Sequence, residues 1–214
     1  GISFSLATAM GRMRMGFSEK AGKFQIALLV NDMCREKKFG DITVSDICAT
    51  AGISRATFYR LFPDKFSLNN WCQAFNFSVG IFQIGRRYTW EDGLFMAYSC
   101  AHFFSGVARA SYDGQDGKES ASFGHRCMRA CLADTLEHVK GVPCKGRLAF
   151  QVDYYSGALV RASTDYWASS KPSADLRAFV VELAHCVPVD LFEALNEPVD
   201  PQPAFDVNAA TLAR

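Results

Sequence analysis

The sequence predicts an all-α protein: an N-terminal three-helix helix-turn-helix domain, then a C-terminal helical bundle ending in a helical hairpin. Three observations carry that prediction. Apolar residues recur at intervals of three and four along most of the 214 residues. Residues 42–65, ITVSDICATAGISRATFYRLFPDK, contain two short helical patterns separated by a glycine-containing turn. No segment shows a β-hairpin signal, an internal repeat or a low-complexity block.

The elements follow in order. Residues 1–17 read as a mobile arm, with Arg12 and Arg14 available to phosphate. A helix over 18–37 opens on Ser18 as N-cap with Glu19 in its first turn, and Gly40 and Asp41 stop it. Its stripe is Ile26, Ala27, Val30, Met33 and Cys34. Two short helices occupy about 43–50 and 54–61. A longer one spans 64–84 and ends near Gly85. Residues 89–111 form another, with Leu94, Ala97, Tyr98, Ala101 and Phe104 on one side; a loop follows at YDGQDGK, and then a helix over 119–140 that Gly141 and Pro143 close. Residues 145–169 and 173–196 form two long helices turned at SSKPS, with Ser173 as a cap, and Pro188 kinks or ends the second. The Pro-rich tail, 197–214, reads as loosely ordered. The predicted domains are therefore 18–65 and 66–196, between the arm and the tail.

Composition narrows the function. Apolar residues make up 49% of the chain, mean hydropathy is near zero, and no apolar run reaches the length of a membrane span. The start is a poor signal peptide, so a cytoplasmic protein is expected. Net charge is +1, but it is unevenly spread. Residues 1–65 hold ten Lys and Arg against six Asp and Glu, whereas the rest holds thirteen against sixteen. That asymmetry suits a chain whose N-terminal end meets a polyanion. None of the eight cysteines forms a C-x-x-C pair, and no His or Cys set has metal-ligand spacing, so neither a metal nor a cofactor is expected. Reduced, buried thiols are expected instead, with a redox-sensing thiol as the alternative. No nucleophile elbow, phosphate loop or metal-spaced cluster points to an enzyme.

Residues 42–65 carry the chemistry. Thr43 stands three before Asp46, close to a capping box with Asp in place of Glu or Gln. Gly52 can take the left-handed conformation that ends a helix. Ser54 caps the second helix. Ile47, Ala51, Ile53, Phe58 and Leu61 form the buried set that locks the two helices, with the small Cys48 at their crossing. The second helix then exposes Arg55, Ala56, Thr57, Tyr59 and Arg60, side chains suited to bases and phosphates.

This stretch resembles the DNA-binding motif of the TetR family of transcriptional regulators. The matching residues are Thr43-Val44, Ile47, Ala51-Gly52-Ile53-Ser54, Thr57-Phe58-Tyr59, Phe62, Lys65 and Leu68, with Ala56 where many members have Gly. The segment SGALVRASTDYWASS resembles the penultimate helix of many members. The resemblance implies a homodimer that places each 54–61 helix in a major groove of double-stranded DNA, about 34–36 Å apart, on a near-palindromic operator. Arg55, Thr57 and Tyr59 would face the groove. Thr43, Tyr59, Arg60 and Lys65 would hold phosphates, beside Ser54 and Ala56 at the start of the reading helix.

The resemblance also implies a repressor with a small-molecule effector held in a C-terminal cavity. Phe95, Tyr98, His102, Phe103, Phe123 and Cys127 are its candidate lining, or else ordinary core. The seam Leu148, Val152, Tyr155, Leu159, Ala162 and Tyr166, continued by Leu176, Phe179, Val180, Leu183 and Val187, has bundle-like spacing. Two copies would pair through it as a four-helix bundle, with Val152, Tyr155, Leu159, Tyr166, Phe179 and Leu183 as interface, or the seam buries against the chain's own helices. The rival readings are a thiol-based redox-sensing regulator on the same scaffold and a non-specific DNA-binding protein.

Overall fold

A computed structural model describes residues 19–110, 116–169 and 175–202. The expected arm with Arg12 and Arg14, the Ser18 and Ser173 caps, and tail residues 203–214 lie outside them. The described residues form ten α-helices and two 3-10 turns, with no strand. The architecture is all-α, and it divides into two units between Leu68 and Asn69.

In the first unit, α1 (Glu19–Met33) buries Ile26, Ala27 and Val30. It ends four residues earlier than the periodicity predicts. The chain turns at residues 34–37 and makes a 3-10 turn, Phe39–Asp41, that buries the Phe39 ring. Helix α2 (Val44–Ala51) and helix α3 (Arg55–Leu61) follow. Ile47, Phe58, Leu61 and Phe62 close the small core, while Ile53 is only half-buried. Helix α4 (Lys65–Val79) begins in this unit and continues beyond Asn69.

The second unit contains the rest of α4, then α5 (Trp90–Phe103), α6 (Ser105–Ala110), α7 (Asp116–His138), α8 (Gly146–Ala168), α9 (Leu176–His185) and α10 (Val189–Leu195). The predicted helix over 64–84 stops at Val79. Gly80 is the reason: a Cβ there would stand 2.5 Å from the Ala97 nitrogen and the Gly93 oxygen, so the backbones of Gly80 and α5 are in contact. The predicted 89–111 helix breaks at Phe104, whose ring is buried. The core is continuous from Trp90, packed edge-on against Tyr155 at 5.4 Å, through Leu94, Leu132 and Leu159 to Leu191 and Leu195.

Pro188 ends α9 and starts α10, so the predicted 173–196 helix is two helices. Gln151 holds the second start: its Oε1 accepts from Leu191 N at 3.0 Å, and its Nε2 donates to Asp190 at 2.9 Å. The beginning of the tail is held rather than loose. Val199, Asp200 and Gln202 donate their backbone N–H groups to the carbonyls of Gly85, Arg86 and Arg87.

Candidate nucleic-acid interface

The reading helix α3 is presented by local hydrogen bonding. Thr43 Oγ1 accepts from Asp46 N at 3.1 Å, and Thr43 N donates to Asp46 Oδ2 at 3.0 Å, a complete capping box. That backbone donor holds the Asp46 carboxyl below its ordinary range. Gly52, at φ 63°, ends α2 in the left-handed region. Ser54 Oγ then accepts from Thr57 N at 3.0 Å and starts α3. Two helices, a three-residue turn and a buried apolar set thus leave a polar face outside.

The sequence-predicted residues separate into three groups on this scaffold. Arg55, Ala56, Tyr59 and Arg60 are exposed together on α3, with Tyr59 46% exposed. Arg55 lies along the surface, donating to Ser45 Oγ and Tyr59 Oη at 3.3 Å each. The Tyr59 hydroxyl raises the guanidinium pKa further, so its charge is permanent. Arg60 makes no hydrogen bond or ion pair among the described residues. Thr43, Ser54 and Thr57 form the second group: their oxygens serve the caps, and Thr57 Oγ1 lies 3.0 Å from Ser54 Oγ.

Lys65, expected from the sequence to hold a phosphate, stands apart from the α3 face. Its Nζ donates to the carbonyls of Phe39 at 3.0 Å, Gly40 at 2.7 Å and Ile42 at 2.9 Å. An ammonium has three N–H donors, and all three are used. It also lies 5.2 Å from the Phe39 ring centroid and 5.5 Å from that of Phe66. Lys65 therefore staples the 3-10 turn to the start of α4.

In the second unit a cavity of about 40 Å³ is lined by α4, α5, α6, α7 and α8. Of the six predicted lining residues only Tyr98 reaches it, where its hydroxyl lies 2.7 Å from Ser163 Oγ. Phe95 is buried under the Arg177 guanidinium, 4.0 Å from its centroid. His102 is half-buried, hydrogen-bonded to Tyr166 Oη, and burial followed by the Arg109 charge lowers its pKa. Phe103 is exposed, and Phe123 and Cys127 are half-buried away from the cavity. Helical spacing alone had grouped residues that face different neighbours.

The cavity residues that sequence reasoning missed are Gln73 and Asn76, 6% and 7% exposed. Gln73 Nε2 and Oε1 and Asn76 Oδ1 have no hydrogen-bond partner. A signal was present: Asn69, Gln73 and Asn76 recur at i, i+4 and i+7 on one helix face. Asn69 meets Ser120 at 2.9 Å.

Of the six residues of the expected dimer seam, four are buried within the chain and Phe179 and Leu183 are half-buried. Val152, Tyr155 and Leu159 are each 1% exposed within the chain's own core, and Tyr166 is buried beside them. Tyr155 Oη donates to Leu183 O at 2.6 Å, and the half-buried Phe179 stacks on Tyr166 at 4.6 Å. Apolar surface already withdrawn from water cannot be withdrawn again by a partner. The opposite face of α8 instead exposes Phe150 and Tyr154, 69% and 65%, with rings stacked at 6.1 Å.

Burial pushes the thiols of Cys100 and Cys131 up to about 12 and that of Cys34 up to about 11, and raises Cys127 and Cys144. Such thiols carry little thiolate at neutral pH. The described residues hold no group of His, Cys, Asp and Glu able to bind a metal, and none of their helices is long and apolar enough to cross a membrane.

A capped helix-turn-helix with an outward cationic and aromatic face is a DNA-binding module. Residues 33–68 match the family model of bacterial regulatory proteins of the tetR family. The chain carries the DNA-binding domain of the TetR family of transcriptional regulators. No curated protein matches it.

Proposed function

We propose that this chain is a cytoplasmic, non-enzymatic repressor that binds a near-palindromic operator as a homodimer and is released by a small molecule bound in the second unit. The observation that carries the DNA reading is the α3 face: Arg55, Tyr59 and Arg60 exposed on a helix whose start is fixed by the Ser54 cap. Arg55 is the base reader, able to leave Ser45 and Tyr59 for the two acceptors of a guanine edge, at about 1–3 kcal/mol of discrimination. Arg60, Tyr59 and Thr43 hold phosphates and set register.

Two observations support the remaining parts. The stacked Phe150 and Tyr154 form an exposed aromatic patch on α8, suited to a second copy of the chain. The cavity carries unpartnered amides of α4, the same helix whose first residue is the Lys65 staple. An effector releases DNA only to the extent that it binds the DNA-free arrangement more tightly than the bound one.

Selection of bound sequences from a random DNA pool tests the reading. Recovery of a two-fold symmetric site about ten base pairs between half-site centres supports it. Equal affinity for that site and for random DNA would instead identify a non-specific binder. Sedimentation of the chain and of Phe150→Glu/Tyr154→Glu tests the pairing: a dimer that the double substitution leaves intact removes this face as the interface.

A further inference from the structure

We propose that the second-unit cavity takes an uncharged, mostly apolar molecule bearing one polar group that both donates and accepts hydrogen bonds, gripped by the side-chain amides of Gln73 and Asn76. The proposal rests on the effector reading above and gives that site its chemistry.

The argument starts from the cost of a buried amide. A polar atom removed from water without a partner is disfavoured, and native proteins keep few of them. Three such atoms stand together here on adjacent turns of α4: Gln73 Nε2, Gln73 Oε1 and Asn76 Oδ1. Both side chains are more than nine-tenths buried and both line the cavity. Neighbouring Asn69 on the same stripe is paired with Ser120, so this helix face does satisfy its amides where a protein partner is in reach.

The set is complementary to a definite group. Gln73 Nε2 asks for an acceptor, while Gln73 Oε1 and Asn76 Oδ1 ask for donors. A primary carboxamide supplies one carbonyl and two N–H bonds. A carboxylate would face two amide oxygens with no donor of its own. An ammonium would find no anion, because no Asp, Glu, Lys, Arg or His lines the cavity. Elsewhere the wall is mostly apolar, including Phe77, Leu94, Met128 and Trp167, and the hydroxyls of its Tyr98 and Ser163 pair with each other. Met128 is unbranched and flexible, so this wall can yield to a ligand larger than the 40 Å³ cavity. Gly124 leaves room behind the amide: a Cβ there would stand 3.2 Å from Gln73 Oε1.

Three probes of one shape separate the possibilities: benzamide, benzoate and ethylbenzene, each titrated into the full chain by calorimetry and by melting temperature. Saturable benzamide binding is expected, with ethylbenzene roughly tenfold weaker or worse and benzoate without effect, since a site built to pair polar groups rejects analogues lacking them. In Gln73→Leu/Asn76→Leu the preference should reverse towards ethylbenzene. The substituted chain without ligand should melt no lower than the parent, because unpartnered amides are exchanged for apolar groups. Gly124→Ala, which crowds Gln73 without removing it, should weaken benzamide alone. Ethylbenzene binding as tightly as benzamide, benzoate binding best, no saturable benzamide binding, or a double variant that keeps the amide preference would each overturn the proposal. Operator affinity is measured separately with and without benzamide. Selective binding that leaves operator affinity unchanged would reject the effector role while upholding the cavity's chemistry.

Discussion

Lys65→Met separates two roles that a lysine at the edge of a DNA-binding domain can play. The substitution keeps an unbranched stem against Phe39 and Phe66 and removes the ammonium. Three carbonyls lose their donor, those of Phe39, Gly40 and Ile42. A hydrogen bond to a charged group contributes about 1.5–3 kcal/mol net when buried. The Gly40 bond is exposed and the other two are part-buried, so water recovers part of each. A loss of about 2–3 kcal/mol in total is expected. For a chain of this length that lowers the melting temperature by about 4–12 °C. The DNA assay supplies the contrast. A lysine that neutralises a phosphate contributes about 0.9 to the slope of log K against log salt. A staple contributes nothing to it. Lys65→Met should therefore melt earlier and, well below its melting temperature, show the parental salt slope, whereas Arg60→Ala should lower that slope by about one. An unchanged melting temperature with a slope reduced by about one would refute the assignment of Lys65 to the fold.

Three further outcomes follow from the geometry. Thr43→Ala removes the side-chain half of the capping box, the oxygen that accepts from Asp46 N, and should cost about 1 kcal/mol by denaturant unfolding, while Thr43→Ser should recover most of it. Gly80→Ala should destabilise by about 3 kcal/mol or more, because its Cβ meets backbone atoms of Gly93 and Ala97 that cannot rotate away; a neutral result in the same unfolding assay would show that α4 and α5 separate easily. Cys186 is exposed, whereas burial holds Cys100 and Cys131 up near 12. A thiol reagent at pH 7 should modify Cys186 first and leave those two protonated and slow. Rapid oxidation at Cys131, accompanied by loss of DNA binding, would revive the redox-sensor reading.

The parts of this protein legible in its sequence are those governed by neighbours along the chain. The Thr43–Asp46 box, the Gly52 turn and the Ser54 cap each involve residues within three or four positions, and each forms as their order predicts. The burial of Ile47 and Phe58 follows from the same short-range periodicity. What the sequence hid depends on distant partners. Nothing local says that Lys65 reaches back to Phe39, Gly40 and Ile42. The helix expected over 64–84 had no local reason to stop at Val79; the stop comes from α5 pressing on Gly80. The seam at Val152, Tyr155 and Leu159 was real as a pattern, but period alone cannot say whose surface it meets. The stripe of Asn69, Gln73 and Asn76 does not say which of its amides finds a partner, since buried polar residues are usually paired, and only the three-dimensional surroundings show that atoms of Gln73 and Asn76 do not.

The amide stripe of α4 has a consequence for anyone wishing to turn this chain into a sensor. In the proposed cavity chemistry, selectivity is concentrated at two residues on adjacent helical turns, in a mostly apolar wall whose Tyr98 and Ser163 hydroxyls already pair with each other. Replacing one amide by a carboxylate, or both by aliphatic chains, changes the polarity of what the cavity accepts without touching the caps, the Lys65 staple or the outward face of α3. Reprogramming the input of such a device is thus a two-position problem, separable in the sequence from its output.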